Sequence, residues 1–572
     1  MIGVLPLAKL LAAFVLGHYH QYGVAALPAT ILGPPAHEGF GGAVATESLE
    51  CSEIGRDLLA RGGNAVDALV GSTFCVGVIG MYHSGIGGGG FAMVRDAHGR
   101  YEAIDFRESA GAAAHQDMFR GNVAGSVFGG LAVAVPGEVL GLEYMHKKYG
   151  VLPWRTVMQG AIHVARHGFR VSHDHVRYSA AAVKNLPRNF LIEDANWAQD
   201  FAPNGTLLQF GDIMTRKRYA NTLEEIANNG SDVFYSGRLA SQMVDYIQKH
   251  NGTLTLSDFQ SYKALSRPVK TATYRSLKLH TVGAPASGSI TLNILKTMEQ
   301  FPLPFSDANL TTHRFAEAMR FGYGARYALG DPDFVPGVDA YEAHLVGPSH
   351  VKEIKDQISD DHTLPVRAYD PKGISLPESH GTSHLVSADK SGMATSLTTT
   401  VNLLFGAQIM EPESGIILNN EMNDFSIPGV PNEFGFQPSE ANFIRPYKRP
   451  LSSVTPVIVA RPDNSLLATV GAAGGSRIIS STTLALWHLI EHGMTMADAL
   501  REPRLHDQVM PNKLLLEYAF DNGTAAELGR RKHDINWVGP GLSAVQGIRR
   551  LDDGAFEAAA EPRQENSAGL TI

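Results

Sequence analysis

The chain has 572 residues and a formal net charge of −9; 18% of its residues are charged and 59 are glycine. This balance is typical of a compact, turn-rich α/β protein and differs from that of a disordered or coiled-coil chain. It provides no basic surface, so nucleic acid is not expected as a partner. No apolar run reaches the roughly 18 residues that are needed to span a bilayer.

The first residues have the features of an export signal. Lys9 precedes an apolar run over residues 10–16, and residues 24–26 place small side chains at a suitable cleavage point. Polar residues 18–21 interrupt this pattern, so an ordinary N-terminal tail is the alternative. Five Asn-X-Ser/Thr sequons also favour export, although chance gives several in a chain this long; they begin at Asn204, Asn229, Asn251, Asn309 and Asn522. We expect a signal peptide over residues 1–26 and a secreted glycoprotein.

The two cysteines, Cys51 and Cys75, lie on either side of a break at Gly62, Gly63 and Asn64. If LECSEIGRDLLAR and AVDALVGSTFCV form an antiparallel helix pair, the two thiols lie roughly level across it. Buried free thiols would suit a cytosolic protein, and a disulfide would suit an exported one. The residues alone leave both alternatives open.

Taken in order, GGAVATES reads as a short strand before the helix pair, and HSGIGGGGFAMVRD places a glycine run before a second strand. A dinucleotide-binding loop needs strand, glycines and then helix, so close backbone packing is the better interpretation. YEAIDFRESA is an alternating strand that carries Arg107. Residues 134–252 are mostly helical and show no chemistry. TVGAPASGSITLNIL predicts a strand, a turn and a helix.

The second half begins with a polar, proline-containing stretch over residues 351–380, which predicts a surface loop leading to Gly381. A long Pro/Asn-rich segment over residues 427–450 is a candidate lid. LSSVTPVIVA and SLLATVGAAGGS predict two strands, followed by the helix RIISSTTLALWHLIEHG. No repeat or linker divides the chain, so we expect one intertwined domain.

Thr382 begins an alternating strand directly after this loop. A lone threonine in a strand is usually a β-former and nothing more, but a hydroxyl becomes a nucleophile when a base lies beside it. One such base is the freed α-amine of an N-terminal threonine. This requires cleavage of the preceding peptide bond, and Gly381 gives the hydroxyl room to reach the carbonyl. We therefore interpret Thr382 as a self-processing nucleophile.

Other polar residues supply the remaining parts of a catalytic pocket. Gly474 and Gly475, at a strand-to-helix turn, can present backbone N–H groups to an oxyanion, although they also suit an ordinary turn. Acceptors for an ammonium group and donors for a carboxylate would together bind the two charged groups of an amino acid. The acceptors are Asn402, Glu421 and Asp424, and the donors are Arg107, Ser452 and Ser453.

The motifs GTSHLVSADKSG, TTTVNLLFG, NNEMNDFS, KRPLSS and GAAGGS, in this order, resemble those of the γ-glutamyltranspeptidases. The likeness extends to GGAVATES, GGNAVDA, HSGIGGGGF, AVPGE and LGDPDF, and so covers the chain from about Gly41 to the C-terminus. The resemblance implies an N-terminal-nucleophile hydrolase fold of the α+β class, a four-layer αββα sandwich. It also implies self-cleavage at Gly381–Thr382 into a large subunit (residues 27–381) and a small subunit (residues 382–572) that stay associated.

The resemblance also implies roles for individual residues. Thr382 would be the nucleophile, its α-amine the base, and Thr400 the residue that orients it; Gly474 and Gly475 would stabilise the oxyanion. Arg107, Ser452 and Ser453 would bind the α-carboxylate of the γ-glutamyl group, and Asn402, Glu421 and Asp424 its α-amine. The donor would be glutathione or another γ-glutamyl compound, the acceptor water, an amino acid or a dipeptide, with no metal or cofactor. Cys51 and Cys75 match a disulfide of secreted members.

Two departures from the family pattern concern the walls of the pocket. The family's Pro/Ser/Gly-rich turn is reduced here to GAPASGSI, and Phe434 occupies a lid position where some members have a tyrosine. These changes leave the balance of hydrolysis and transfer open. The alternatives to a γ-glutamyl enzyme are an acylase of the same fold with another donor, or an inactive relative that only binds.

Overall fold

The computed structural model describes residues 37–303, 305–375, 381–430, 435 and 437–572. The predicted signal peptide and Phe434 lie outside these ranges. Within them, the chain forms two seven-stranded sheets, three smaller sheets and helices on both outer faces.

The first large sheet contains, in spatial order, β1 (His37–Gly39), β20 (Phe556–Ala559), β19 (Ala544–Arg550), β15 (Leu466–Ala473), β14 (Val457–Ala460), β9 (Leu277–Thr281) and β8 (Lys270–Tyr274). The second contains β21 (Ala568–Thr571), β2 (Gly42–Thr46), β11 (Gly381–Asp389), β12 (Ala394–Asn402), β3 (Gly89–Arg95), β4 (Tyr101–Phe106) and β7 (Leu265–Arg267). The smaller sheets comprise β5 (Phe169–Arg170) with β6 (Ile213–Met214), β10 (Ile374–Ser375) with β13 (Gln437–Pro438), and β16 (Leu505–His506), β17 (Leu514–Glu517) and β18 (Ile535–Val538).

The two large sheets pack face to face, with β11 and β12 against β14, β15 and β19. Strand β3 illustrates how the sequence serves both faces: Phe91 and Met93 join the core shared with the first sheet, and Ala92 and Val94 join the core under the helices. Because both faces are covered, every described residue of β11 and β12 is buried. Side chains on alternate positions of a strand point to opposite faces, which explains this division.

The described residues contain nineteen α-helices. They are α1 (Leu49–Ala60), α2 (Ala65–Ile79), α3 (Glu138–Tyr149), α4 (Trp154–His167), α5 (His173–Val183), α6 (Phe190–Glu193), α7 (Ala195–Phe201), α8 (Lys217–Asn229), α9 (Asp232–Tyr235), α10 (Arg238–Lys249), α11 (Leu256–Ser261), α12 (Gly288–Met298), α13 (Ala308–Arg326), α14 (Val338–Leu345), α15 (Pro348–Gln357), α16 (Val366–Tyr369), α17 (Arg477–Glu491), α18 (Met496–Arg501) and α19 (Asn522–Arg530). Helices α1 and α2 cover the second sheet, and α12, α17 and α18 cover the first. The predicted αββα sandwich is therefore confirmed. Among the described residues, no helix is both long and apolar enough to cross a membrane.

The predicted helix pair is present as α1 and α2, and a disulfide joins Cys51 to Cys75 with their Cα atoms 5.3 Å apart. The capping box of Asn64 and Asp67 starts α2 sharply after the glycine break. This sharp start turns the second helix back along the first. The disulfide that the family resemblance implies is therefore confirmed.

The glycine run before β3 packs backbone against backbone, as the order of elements predicted. A Cβ atom on Gly88 would lie only 1.9 Å from the carbonyl oxygen of Thr400, a separation that no side chain tolerates. The run thus brings β3 against the end of β12 that carries Thr400 and Asn402.

The prediction of a surface loop over residues 351–380 is wrong at its start, because residues 351–357 belong to α15. Pro348 occupies the first turn of this helix, where its missing N–H costs nothing. Val351 and Ile354 are buried three residues apart on one helix face. Two apolar residues at helical spacing outweigh the polar composition of the segment. Residues 376–380 lie outside the described ranges.

Candidate active site

Thr382 lies opposite a β-bulge of β12, at the start of β11 in the second sheet. Gly381 pairs with Asn402 and Ser383 pairs with Thr399, so two residues of β12, Thr400 and Val401, lie opposite the single residue Thr382 of β11. A bulge redirects a side chain and interrupts regular pairing. The bulge thus allows the hydroxyl of Thr382 to turn towards the preceding peptide bond.

A chain of hydrogen bonds ends at the carbonyl of that peptide bond. The hydroxyl of Thr382 donates to the oxygen of Gly381 over 2.6 Å, and the hydroxyl of Thr400 donates a short bond to the same oxygen. The backbone N–H of Asn402 in turn donates to Oγ1 of Thr400 over 2.7 Å. Two hydroxyl donors on one carbonyl oxygen draw electron density from the carbon and favour nucleophilic attack on it.

Gly381 is the residue type that this arrangement requires. A Cβ atom at this position would lie 2.3 Å from the backbone oxygen of Asn402. Any larger residue would therefore push β11 away from β12 and separate the carbonyl from Thr400. The glycine expected from reactivity is thus also required by packing.

Hydrogen bonds behind the strand fix its position. The hydroxyl of Ser383 donates to Oε1 of Glu47 over 2.7 Å, and that of Ser84 donates to Ser383 over 3.1 Å. Sequence reasoning gave Glu47 no role, although it lies in the GGAVATES motif. Its contact with Ser383 crosses more than three hundred positions of the chain, and no local pattern indicates that contact.

Arg107 follows the end of β4 and is fully buried. Its guanidinium forms ion pairs with Glu421 and Asp424, both at 2.5 Å. Its Nε and Nη2 atoms also donate to the backbone oxygens of Pro450 and Leu451, over 3.4 and 3.5 Å. The predicted carboxylate donor and two of the predicted ammonium acceptors therefore contact each other. The reason is electrostatic, because buried charges are stable only when they are paired.

Glu108 adds a third carboxyl group to this cluster, with Oε2 at 4.0 Å from Nη1 of Arg107. Burial, as the largest cause, raises the pKa of both Glu108 and Glu421, and their mutual repulsion raises the pKa of Glu421 further. The neighbouring carboxylates raise the pKa of Arg107, which stays charged. The sequence places Glu108 beside Arg107, but this adjacency alone did not predict a role for it.

Several acceptor atoms of the cluster lack a hydrogen-bond partner among the described residues, and two of them are Oδ1 of Asn402 and Oδ1 of Asp424. Both side chains are buried, and Asn402 is held in place by its own amide, which donates to the backbone oxygen of Asn420 over 3.0 Å. Unpartnered buried acceptors carry a free-energy cost. A bound group with several N–H donors, such as an ammonium, would satisfy both.

Ser452 and Ser453 lie directly after the two backbone oxygens that Arg107 contacts. The hydroxyl of Ser287 donates to the backbone oxygen of Ser452 over 2.5 Å. The backbone N–H of Ser452 donates to the backbone oxygen of Pro285 over 2.7 Å. Both serines are buried. The reduced turn GAPASGSI thus supports the predicted carboxylate-binding segment.

Gly474 and Gly475 lie at the same edge of the sandwich as Thr400. The hydroxyl of Thr469 donates to the oxygen of Thr395 over 2.9 Å, and that of Ser396 donates to the oxygen of Val470 over 3.2 Å. Strands β12 and β15 therefore run in the same direction across the two layers, and both end at this edge. The φ angles of the two glycines are 122° and 62°, in the left-handed region.

The described residues contain one group of potential metal ligands, His313, Glu317 and His533, all buried. Nδ1 of His313 is 2.8 Å from Nε2 of His533, and Thr363 and Tyr369 donate their hydroxyls to Glu317. These bonds use the atoms that would bind an ion. The group joins α13 to the C-terminal region and is not part of the site around Thr382.

Comparison with known proteins agrees with this geometry. The family model described as gamma-glutamyltranspeptidase matches residues 51–571. A glutathione hydrolase proenzyme of Arthroderma benhamiae is 48% identical over 94% of each chain. A glutathione hydrolase of Aspergillus flavus is 43% identical over 98% of this chain and 94% of its own.

Two solved structures bear on the fold. A cephalosporin acylase from Bacillus halodurans superposes with a TM-score of 0.82 over 96% of this chain and 99% of its own, at 23% identity; this likeness shows the fold alone. A gamma-glutamyltranspeptidase chain from Helicobacter pylori covers 55% of this chain and 91% of its own, with a TM-score of 0.51 and 33% identity. With the family match over nearly the whole length, these relatives establish that the chain belongs to the γ-glutamyltranspeptidase family of N-terminal-nucleophile hydrolases.

Proposed function

We propose that this protein is a self-processing γ-glutamyl transferase and hydrolase that acts on glutathione and related γ-glutamyl compounds. The observation that carries the proposal is the carbonyl of Gly381, which accepts hydrogen bonds from the hydroxyls of Thr382 and Thr400 at the start of β11. A nucleophile, the bond that it would cleave and a donor to the developing oxyanion lie together.

Self-cleavage follows from this arrangement in two steps. Oγ1 of Thr382 attacks the carbonyl carbon of Gly381, and Thr400 donates to the oxygen as it becomes negative. The C–N bond then breaks and its nitrogen takes up a proton, which leaves Gly381 joined to Thr382 by an ester. Water hydrolyses the ester, leaving a carboxylate on Gly381 and a free α-amine on Thr382.

The freed α-amine then serves as the base for turnover. It takes the proton of the Thr382 hydroxyl, which attacks the γ-carbonyl carbon of the donor, and the leaving amine departs with a proton. Gly474 and Gly475 would donate backbone N–H groups to this second oxyanion. The γ-glutamyl ester on Thr382 passes to water, or to the amine of an amino acid or dipeptide.

The donor would be recognised by an exchange of ionic partners. Its α-carboxylate would take the place of acidic side chains on Arg107, helped by the hydroxyls of Ser452 and Ser453. Its α-ammonium would contact Asn402, Glu421 and Asp424, each of which has a buried acceptor atom without a hydrogen-bond partner in the described chain. Because the ligand carries one charge of each sign, the exchange leaves the net charge of the pocket unchanged.

We also propose that the precursor is exported with the loss of residues 1–26, and that residues 27–381 and 382–572 form the two subunits. The leader-like N-terminus and the five sequons support export. Four of the sequon asparagines, Asn204, Asn229, Asn251 and Asn522, are exposed, and Asn309 is half-buried. Exposed asparagines in such sequons are suitable for glycosylation.

A denaturing gel with sequencing of the smaller fragment tests self-cleavage. The fragment should begin Thr382-Ser383-His384, and a Thr382→Ala variant should stay whole and inactive. An active wild-type chain that remains uncut would contradict the mechanism.

The donor is tested with the processed protein. It should release glutamate from glutathione and should leave simple acyl amides without an α-amino acid group unchanged. Equal rates on both substrate types would instead favour an acylase of the same fold.

A further inference from the structure

A surface groove of about 300 Å³ lies between the C-terminal halves of α3 and α8. It is lined by an aromatic ring, an imidazole, a lysine, an amide and two carboxylates: Trp154, His146, Lys147, Asn229, Glu143 and Asp232. None of these residues belongs to the site around Thr382. Its size is at the lower end of small-ligand pockets and suits a single sugar ring.

The indole of Trp154 is held rigidly in this groove. It packs edge-to-face with the ring of Phe74, with ring centroids 5.5 Å apart. The ring centroid of His146 lies 5.1 Å from that of Trp154. Its Nε1–H donates to the backbone oxygen of Ile226 over 3.2 Å. A fixed aromatic ring with polar groups around it is the usual form of a carbohydrate-binding surface, because one face of a pyranose presents mostly C–H groups.

The amide of Asn229 lines the same groove and begins the sequon Asn229-Gly230-Ser231. Its Nδ2 donates one hydrogen to the backbone oxygen of Glu225 over 2.9 Å, and Nδ2 carries a second hydrogen that this bond does not use. Ser231 is anchored on Glu143 by its backbone N–H and its hydroxyl, over 3.0 and 2.6 Å. The end of α8 is therefore fixed beside Trp154.

We infer that Asn229 carries an N-linked glycan whose first N-acetylglucosamine packs on Trp154 in this groove. The inference rests on the export proposed above, which brings the chain to a lipid diphosphate-linked oligosaccharide. Nδ2 forms a bond to C1 of the sugar, the bond from C1 to the diphosphate breaks, and the lipid diphosphate leaves with the electron pair. Nδ2 loses the hydrogen that does not bond to Glu225, so that hydrogen bond survives.

The test uses the full chain with its own leader, secreted from a eukaryotic host, and glycopeptide mass spectrometry at Asn229. We expect Asn229 to be occupied and Asn229→Gln to lower the Tm by about 1–3 °C. In a Trp154→Leu background the same change should have no effect on Tm, which forms a double-mutant cycle. Asn204→Gln, at an exposed sequon in a loop, is the matched control and should leave Tm unchanged.

The same variants made in a bacterial host without glycosylation separate the sugar from the side chain. There, Asn229→Gln should not change Tm. An unoccupied Asn229 in the secreted protein would overturn the inference, and so would a Tm loss that persists without Trp154 or without the glycan. Retention in the cell with Asn229 unmodified would overturn the inference and the export proposal together. Gel analysis of Thr382 cleavage on the same samples tests the enzymatic proposal separately.

Discussion

In the proposed mechanism, the hydroxyl of Thr400 has a different role from that of Thr382, although both donate to the oxygen of Gly381. Thr382 must turn its oxygen to the carbonyl carbon, so its present hydrogen bond is lost on attack. Thr400 keeps its donor on the oxygen throughout. The backbone N–H of Asn402 holds Oγ1 of Thr400 from behind, so the donor needs no reorganisation when charge develops.

Replacing Thr400 with valine, which has the same shape but no hydroxyl, should slow self-cleavage by about 10²–10³-fold, the usual effect of removing one oxyanion donor. The measurement is a time course of fragment appearance on a denaturing gel. Thr400→Ser keeps the hydroxyl and should cleave within a few-fold of the wild-type rate. Equal rates for the valine and serine variants would show that the hydroxyl does not assist cleavage.

Arg107 pairs with two buried carboxylates in addition to its proposed role in binding, so its substitution must preserve the charge. Removing the guanidinium would leave Glu421 and Asp424 buried without a partner, a change that commonly destabilises by about 3–5 kcal/mol. Arg107→Lys retains the charge and loses the planar, two-pronged geometry. We expect the KM for glutathione to rise about 10–100-fold, the equivalent of one charge-assisted hydrogen bond.

Cleavage at Thr382 in the Arg107→Lys variant serves as its internal control and should proceed at the wild-type rate. In the described bonds, Arg107 contacts neither Thr382 nor Thr400. A folding defect would therefore change both cleavage and the KM for glutathione, whereas a binding defect would change the KM alone. An unchanged KM would mean that Arg107 does not bind the α-carboxylate.

At the scale of elements, helices α1 and α2 form the layer outside β2 and β11, and one disulfide joins them. The cysteines are 24 positions apart, and closing a loop of this length is expected to stabilise the fold by about 3 kcal/mol. The double variant Cys51→Ala/Cys75→Ala should unfold at a correspondingly lower denaturant concentration. A reducing agent should bring the wild type close to the variant and leave the variant itself unchanged. The prediction would be contradicted if the double variant were as stable as the wild type and the reductant left the stability of the wild type unchanged.

Elements also show where sequence reasoning succeeds. The strands β2, β3, β4, β14 and β15 follow from short runs of strand-forming residues between breakers, and α1, α2 and α17 follow from helical spacing and caps. The bulge opposite Thr382 does not, because the extra residue on β12 is defined only by the register of β12 with β11. Helix α15 was missed because its polar surface dominates the composition, although two buried residues define its inner face.

At the scale of the whole molecule, the buried carboxyl group of Glu138 contributes to how stability changes with pH. Burial raises the pKa of Glu138 from its ordinary 4.5 to about 8. A carboxyl whose folded pKa is raised contributes stability that is full below about 4.5 and is lost as the pH rises towards 8. The contribution of Glu138 to the free energy of unfolding should therefore fall between pH 5 and 8.

Glu138→Gln removes this titration. Between pH 5 and 8, the slope of the free energy of unfolding against pH should therefore be less negative than in the wild type, by at most about 1.4 kcal/mol per pH unit. Denaturant unfolding at a series of pH values measures it. Glu143→Gln on the same helix is the matched control, because its neighbours Lys147 and Ser231 lower the pKa of Glu143 despite the opposing effect of burial. That variant should keep the wild-type slope over this range, and equal slopes for all three proteins would refute the assignment to Glu138.

Both large sheets contain strands from before and after Gly381, so neither predicted subunit contains a complete large sheet. The lack of linkers predicted one intertwined domain. The family resemblance implied the four-layer sandwich. Sequence reasoning did not predict that Arg107 contacts Glu421 and Asp424. This pairing depends on how the end of β4 approaches the 3-10 helix Glu421–Asp424. Local patterns identify the residues of a site, and contacts between distant segments determine their partners.

The close approach of Gly381 to Asn402 has a consequence for the first turnover. In the proposed mechanism, cleavage would turn the carbonyl of Gly381 into a carboxylate where the donor's γ-carbonyl would bind, within reach of Thr400. Under the proposed mechanism, the newly formed C-terminus would be the first product of the enzyme and would compete with the donor for the site. Catalysis on external substrate can begin only after this end withdraws, so activity should lag behind the appearance of the cut chain.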